Sequence, residues 1–411
     1  MKNKSRVFAW SLFDFANSSY AVIIVAFVFA VYFTTVIAGN ESIGDFYWGI
    51  GINISMIITA VLSPVCGAIT DLTHTKKKYL FFFTMLSVIG TALMYFTGPG
   101  TVFYALVLFI VSNTGFQTGL ALYDAFIPEM VDEKYYNKVS GIGYAVGYIG
   151  SLLSVVLVLP FKDDPNMLFV ICSAVFFIFA LPLFLFVPEE KPLAPVEQKK
   201  LFKYGFKKVI GTIKNINEYP NLRNFLLSFF FYIDAVNTII FFAGIYAAKT
   251  LNFDVPQLAI FFIIVQLTAM VGSFLFGFIG DKIGILRSIT INLMFWTLIV
   301  IYIFFFINKD SVVMIAGMNI HQFFIVGGFA GLFLGSTQSL SRAMMSKLVP
   351  YVSKTEFFGF YGLMDKTSTL VGPLTFGAVS FLSGGNQSLA VLSVGVFFVV
   401  GMLLLKKVKE T

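Results

Sequence analysis

Apolar runs of about twenty residues, each closed by a short polar or basic connector, recur along the whole of this chain. A run of that length matches the roughly 30 Å of hydrocarbon that a helix crosses in a bilayer. No water is available there, so the backbone must satisfy its own hydrogen bonds, and such runs read as α-helices. Setting runs against breakers predicts twelve spans near 7–37, 46–70, 79–97, 102–126, 139–159, 167–187, 223–248, 256–280, 286–307, 318–345, 357–382 and 387–407. Only 12% of the 411 residues are charged, against about 25% in an ordinary soluble domain, so the solvent of this chain is lipid.

The basic residues give a separate reading of topology. With the N-terminus in the cytosol, the connectors on that side hold 24 of the 28 Lys and Arg residues. Lys162, Lys249 and Lys309 face the other way, and Lys366 stays inside a span. Such bias is the positive-inside pattern, and an odd span count would scramble it. The expectation is an integral protein of a prokaryotic cell membrane, monomeric, with both termini cytosolic. The net charge of +7 then reports orientation and does not argue for nucleic acid. Lys2, Lys4 and Arg6 precede an apolar stretch that is too long for a secretory signal and carries Asp14, so it reads as a retained first helix. Cys66 and Cys172 lie in apolar context as packing residues, with no disulfide framework and no metal motif. No phosphate-binding Gly-x-x-x-x-Gly-Lys loop and no nucleophile–histidine–carboxylate set occurs, so neither a cofactor nor an enzymatic activity is expected.

The spans divide into two six-helix halves, 1–187 and 223–411, joined by a basic linker over 188–222. The linker has a helical middle and carries Lys199, Lys200, Lys203, Lys207, Lys208 and Lys214, which suits a connector lying against anionic headgroups. Each half opens with the same pattern. Asp14-x-x-Asn17-Ser18 in the first span returns 220 residues later as Asp234-x-x-Asn237-Thr238 in the seventh. Positions i, i+3 and i+4 share one helix face, so each copy presents a carboxylate, an amide and a hydroxyl as a stripe. A carboxylate within a bilayer is expensive and marks a functional site by default.

A second repeat follows the second and eighth spans. Gly67-Ala-Ile-Thr-Asp71 leads into Lys76-Lys77-Lys78, and Gly277-Phe-Ile-Gly-Asp281 leads into Lys282 and Arg287. This loop resembles the signature loop of the major facilitator superfamily, although His74 stands where the usual pattern has glycine. The resemblance sharpens in Trp10-Ser-Leu-Phe-Asp14, Tyr123-Asp124-Ala-Phe-Ile-Pro128, Ser140-Gly-Ile-Gly-Tyr144-Ala-Val-Gly147-Tyr148, Gln338-Ser-Leu-Ser-Arg342, Phe357-Phe-Gly359-Phe-Tyr361 and Gly372-Pro373. These are similar to the autophagy-related vacuolar effluxer-like branch, whose eukaryotic members are implicated in amino-acid export. The resemblance implies a central cavity lined by the first, seventh and eleventh helices. It also implies that Asp71, Lys76, Asp281 and Arg287 help to lock an inner gate.

Asp14, Asp234, Asp365 and Lys366 then fall at comparable depth, about seven to eleven residues into their spans, or roughly 10–16 Å. Neighbours in sequence do not face each other on a helix, so Asp365 and Lys366 are expected to have different partners, with Lys366 answering Asp14 or Asp234. Three readings stay open: proton uptake by an aspartate, recognition of a zwitterionic substrate, and a static ion pair. Asp124 and Arg342 close the fourth and tenth spans as a candidate latch, with a plain positive-inside arginine as the alternative. Gly143, Gly147 and Gly150 permit close helix approach, and Tyr144 and Tyr148 share a face that could line the cavity or simply pack. His321 reads as an interfacial residue at the outer end of the tenth span. The reading is a secondary transporter of a small polar solute, with protons as the default couplant. A non-transporting sensor and a lipid-moving transporter are the alternatives.

Overall fold

A computed structural model describes residues 4–26, 28–39, 41–161, 164–189, 198–315, 317–368 and 371–409. Of the 28 Lys and Arg residues counted for orientation, Lys2, Lys162 and the linker's Lys191 lie outside the described residues. The chain runs α1 (Lys4–Tyr20), α2 (Val28–Tyr32), α3 (Glu41–Thr73), α4 (Lys76–Leu93), α5 (Val102–Asp124), a short α6 (Ile127–Met130), α7 (Tyr136–Val158) and α8 (Pro165–Phe186). The linker helix is α9 (Gln198–Lys214). The second half follows as α10 (Pro220–Lys249), α11 (Val255–Ile283), α12 (Ile285–Phe306), β1 (Val312–Ile315), β2 (Met318–His321), α13 (Gln322–Leu348), α14 (Lys354–Ser368), α15 (Val371–Leu382) and α16 (Gln387–Leu405).

Eleven helical segments among the described residues are long and apolar enough to cross a membrane. The predicted eleventh span is described as α14 and α15, on either side of residues 369–370. Local chemistry sets several helix ends. Asp254 and Gln257 form a reciprocal capping box at the start of α11, with bonds of 2.8 and 2.9 Å. Asp164 and Asn386 accept from the first turns of α8 and α16 at 3.1 and 3.0 Å.

Two expectations are corrected. The first span is not one α-helix, because Ala21–Ala26 and Phe33–Ile37 are π-helical. The β-branched run Val22-Ile23-Ile24-Val25 crowds an α-helical turn, and the Thr34 and Thr35 hydroxyls bond back to the Val31 carbonyl at 3.1 and 2.8 Å. The tenth span begins at Gln322 instead of 318, because β1 and β2 pair as an antiparallel hairpin with Val312 opposite His321. Gly317 supplies the left-handed turn residue at φ 81°. His321 therefore ends a strand, with its Nε2 2.9 Å from the Asn308 carbonyl oxygen.

By packing, the chain forms two compact units. One comprises Met1–Glu133, Val146–Asn215 and Val349–Leu363; the other comprises Lys134–Ala145, Ile216–Leu348 and Met364–Thr411. In the first unit, the Trp10 Nε1–H donates to the Tyr123 carbonyl at 3.3 Å and the Tyr123 hydroxyl donates back to the Trp10 carbonyl at 3.1 Å. Their rings stack at 4.6 Å, which fixes α1 against α5. In the second unit, α11 and α13 meet along glycines. A Cβ at Gly272, Gly331 or Gly335 would overlap the backbone of the facing helix. Without a hydrophobic drive between helices in lipid, such close approach is what holds them.

Candidate functional site

In the first unit, Asp14 and Asn17 are both buried. The Ser18 hydroxyl donates to the Asp14 carbonyl oxygen at 2.7 Å, so its proton serves the backbone. The Asn17 amide nitrogen is buried without a hydrogen-bond partner among the described residues. Gly147 of α7 lies over this stripe, where a Cβ would stand 3.2 Å from Ser18 Oγ and 3.5 Å from Asp14 Cβ. One turn on, a Cβ at Gly150 would stand 2.5 Å from the Phe15 carbonyl oxygen. The small-residue spacing is what lets α7 close on α1.

The second copy is met in the same manner, by a glycine from the eleventh-span region. Asp234 is completely buried, and its Oδ1 accepts from the backbone N–H of Gly372 at 3.0 Å. The Thr238 hydroxyl lies beside the Asp234 carboxylate, and neither Asp234 Oδ2 nor Thr238 Oγ1 makes a well-aligned hydrogen bond among the described residues. A Cβ at Gly372 would overlap Thr238 Oγ1 and stand 2.6 Å from Asp234 Oδ1. Asn237 Nδ2 donates to Asp365 Oδ1 at 3.4 Å, and Asp365 Oδ2 is 2.7 Å from Lys366 Nζ. The neighbours Asp365 and Lys366 therefore touch each other, and each has an interaction besides. Their Cβ atoms diverge, but the lysine stem is long enough to fold its ammonium back onto the neighbouring carboxylate. Asp234 binds a peptide N–H, not Lys366.

The two signature loops each receive the first turn of a helix from their own unit. Asp71 Oδ1 and Oδ2 accept from the backbone N–H groups of Thr355 and Glu356 at 3.1 and 2.9 Å, capping α14. Gly67 stands one turn before Asp71 on the same face, where a Cβ would be 2.5 Å from the Thr355 carbonyl oxygen. The small residue four before the aspartate therefore makes room for the turn that the aspartate caps. In the second unit, the Asn137 amide of α7 donates to the carbonyls of Phe276 and Gly277 at 2.8 and 2.9 Å. Asn137 lies beside Asp281 as well. His74 and Gly284, each three residues past its aspartate, both take left-handed backbone, at φ 53° and 92°. The departure at His74 thus preserves the helix stop.

Lys76 does not serve as an exposed loop charge. Its ammonium is buried, 2.6 Å from Glu129 Oε1 and 2.9 Å from the Ala125 carbonyl oxygen, and Lys354 reaches the same Glu129 oxygen at 2.8 Å. Asp71, His74, Lys76, Glu129 and Lys354 border a cavity of about 180 Å³. Arg287 is exposed at the start of α12. Arg342 is 2% exposed, which overturns the reading of a plain flanking arginine. Its Nε and Nη2 donate to Ser140 Oγ and O, each at 3.0 Å, and its guanidinium covers the Tyr144 ring at 4.1 Å. Tyr144 is thereby joined to Arg342, whereas Tyr148 is buried in the other unit. Asp124 ends α5 and belongs to the first unit, Arg342 to the second.

Sequence reasoning missed Glu129, Asn137 and Lys354, which nothing local marks, and it quoted Ser140 and Gly372 in motifs without their partners, which motif spacing does not give. It also passed over Thr114, Gln117 and Thr118 of α5, which are buried with polar atoms lacking partners among the described residues. The polar run Ser112-Asn-Thr-Gly-Phe-Gln-Thr118 inside an apolar span was the available signal.

Residues 49–411 match the family described as vacuole effluxer Atg22 like. Over 98% of its length the chain is 29% identical to an uncharacterized MFS-type transporter of Bacillus subtilis (strain 168), YxiO, covering 94% of that relative. It is 22% identical to autophagy-related protein 22-1 of Penicillium rubens, covering 86% of this chain and 74% of the other. Two solved structures share the fold at 12% identity. The human organic anion transporter MFSD10 superposes with a TM-score of 0.74, covering 97% of this chain and 98% of its own. The major facilitator superfamily proton:xylose symporter XylE superposes with a TM-score of 0.71, covering 98% and 95%.

Proposed function

Because the chain belongs to the vacuole effluxer Atg22-like family and has the major facilitator fold, we propose that it is a secondary active transporter of a small polar solute, coupled to protons. The observation that carries this reading is Asp234, a fully buried carboxylate in an apolar span, with the Gly372 N–H on one oxygen and the Thr238 hydroxyl beside it. A carboxylate held out of water changes its proton affinity as polar neighbours come and go, which is the property a coupling group needs. Asp14, with Asn17, is its counterpart in the first half. Asp365 and Lys366 offer both signs of charge to a zwitterion, so amino acids are the first substrates to test. The Asp71 cap and its relative at Asp281 serve as gate contacts that break and re-form as access alternates. The bias of the basic connectors supports a topology with both termini in the cytosol, and we read the protein as a monomer of a prokaryotic cell membrane.

Purified protein in liposomes, offered labelled amino acids with and without an imposed pH gradient, tests the proposal. Gradient-driven accumulation that Asp234→Asn abolishes is the expected result. Accumulation indifferent to pH and to Asp234→Asn would overturn proton coupling, and no uptake of any small solute would overturn transport.

A further inference from the structure

The linker helix α9 lies outside the carboxylate sites and reaches the first turn of α14 only through Thr212 and Lys208, which face Glu356, yet its remaining surface is strongly organised. It packs in the first unit against α3, where a Cβ at Gly205 would lie 2.9 Å from Val65 and 3.1 Å from Ile69. Thr212, seven residues on, is buried on the same side. A second face carries Phe202, Phe206, Ile210 and Ile213, exposed by 51%, 44%, 52% and 55%. At about 100° per residue these four fall within a single narrow stripe. Lys203, Lys207 and Lys214 are exposed and cluster about a quarter turn away, on the flank opposite the docked face. No Asp or Glu occurs in Gln198–Lys214.

Large exposed aromatics beside a row of lysines need an occupant. The outward-facing strip of α3, with Ile54, Ile57 and Val61 exposed by 39%, 66% and 44%, ends one turn before Val65, where α9 docks. The apolar stripe of α9 therefore begins where the lipid-facing surface of α3 stops. A helix with one apolar face, a lysine flank and no acidic residue has the chemistry of an interfacial helix at an anionic leaflet.

We propose that α9 is a lipid-binding helix: Phe202, Phe206, Ile210 and Ile213 enter the boundary between headgroups and acyl chains, and Lys203, Lys207 and Lys214 bind the phosphates of anionic phospholipids. The full chain, with Cys66→Ser and Cys172→Ser, receives a single fluorophore at Phe206→Cys or at Lys207→Cys. Each protein is placed in nanodiscs of phosphatidylcholine, alone or with phosphatidylglycerol, containing a lipid with a nitroxide near the headgroup. Quenching is expected to be stronger at 206 than at 207, and to rise at 206 when phosphatidylglycerol is added. Adding Lys203→Gln, Lys207→Gln and Lys214→Gln to the 206 protein is expected to abolish that rise. If Phe206→Cys does not yield folded protein, Ile213→Cys carries the same expectation. Equal quenching at the two positions would overturn membrane insertion and leave the face to a soluble partner. A rise that survives loss of the three lysines would overturn recognition of anionic headgroups.

Discussion

The backbone N–H of Gly372 donates to Asp234 Oδ1 at 3.0 Å, in a place where no side chain fits. The relationship makes Gly372→Ala a test of geometry that leaves every charge intact. Its Cβ would overlap Thr238 Oγ1, and overpacking of this kind costs about 1–3 kcal/mol. Uptake in liposomes should fall sharply in this variant, while Gly377→Ala, with open space around its Cβ, should transport normally.

Asp14→Asn and Asp234→Asn should each abolish or uncouple transport while the protein remains folded in the membrane. Asparagine keeps the volume and most hydrogen bonds of aspartate but does not ionise. A proton-carrying residue, once replaced, should lose gradient-driven accumulation and keep substrate exchange. Wild-type, pH-dependent uptake by a folded double variant would remove both residues from the mechanism.

Asp71→Ala removes both acceptors at the first turn of α14. Loss of a helix N-cap costs about 1 kcal/mol, and here it should appear as local opening. Hydrogen exchange at the Thr355 and Glu356 amides should quicken about five- to ten-fold, with little change in α16. Unaltered exchange would mean that other contacts hold this turn.

Arg342→Lys keeps the charge but loses the forked contact to Ser140 and the planar cover over Tyr144. Hydrogen bonds to charged groups contribute about 1.5–3 kcal/mol each, so thermal stability should drop measurably. Tyr144→Phe keeps the ring beneath the guanidinium and should destabilise less than Tyr144→Ala, which removes it.

Glu189 follows α8, and its Oε1 accepts from the Lys77 backbone N–H at 2.6 Å. Burial pushes its carboxyl above the usual range, against the opposing pull of that bond and of nearby lysines. The folded protein therefore binds this proton more tightly than the unfolded chain does. Its contribution to stability is full below the ordinary carboxylate range and is lost as pH rises through the raised value. Glu189→Gln should match the parent in acid and become the more stable of the two at neutral pH, in thermal unfolding scans.

Much of the fold was legible without coordinates. Run length and hydropathy identify the solvent and the helical class, and the repeated Asp-x-x-Asn and Gly-x-x-x-Asp patterns announce a duplication. These are local properties: twenty apolar residues form a spanning helix whatever lies beside them. The π-helical stretches of the first span and the hairpin before α13 were less legible, because a few hydroxyl bonds and one left-handed glycine outweigh hydropathy there.

The partners were decided only by tertiary structure. Asp71 meets Thr355 across 284 residues of sequence, Arg342 meets Ser140 across 202, and Asp234 meets Gly372 across 138. Motif spacing brings Asp14, Asn17 and Ser18 onto one face, but it does not say that Ser18 turns its proton to the backbone. It places Asp365 next to Lys366, but not the fold of a lysine stem back onto its neighbour. Which helix lies against which, and where a missing Cβ lets two backbones touch, depends on the packing of the whole unit, and a linear pattern carries no record of it.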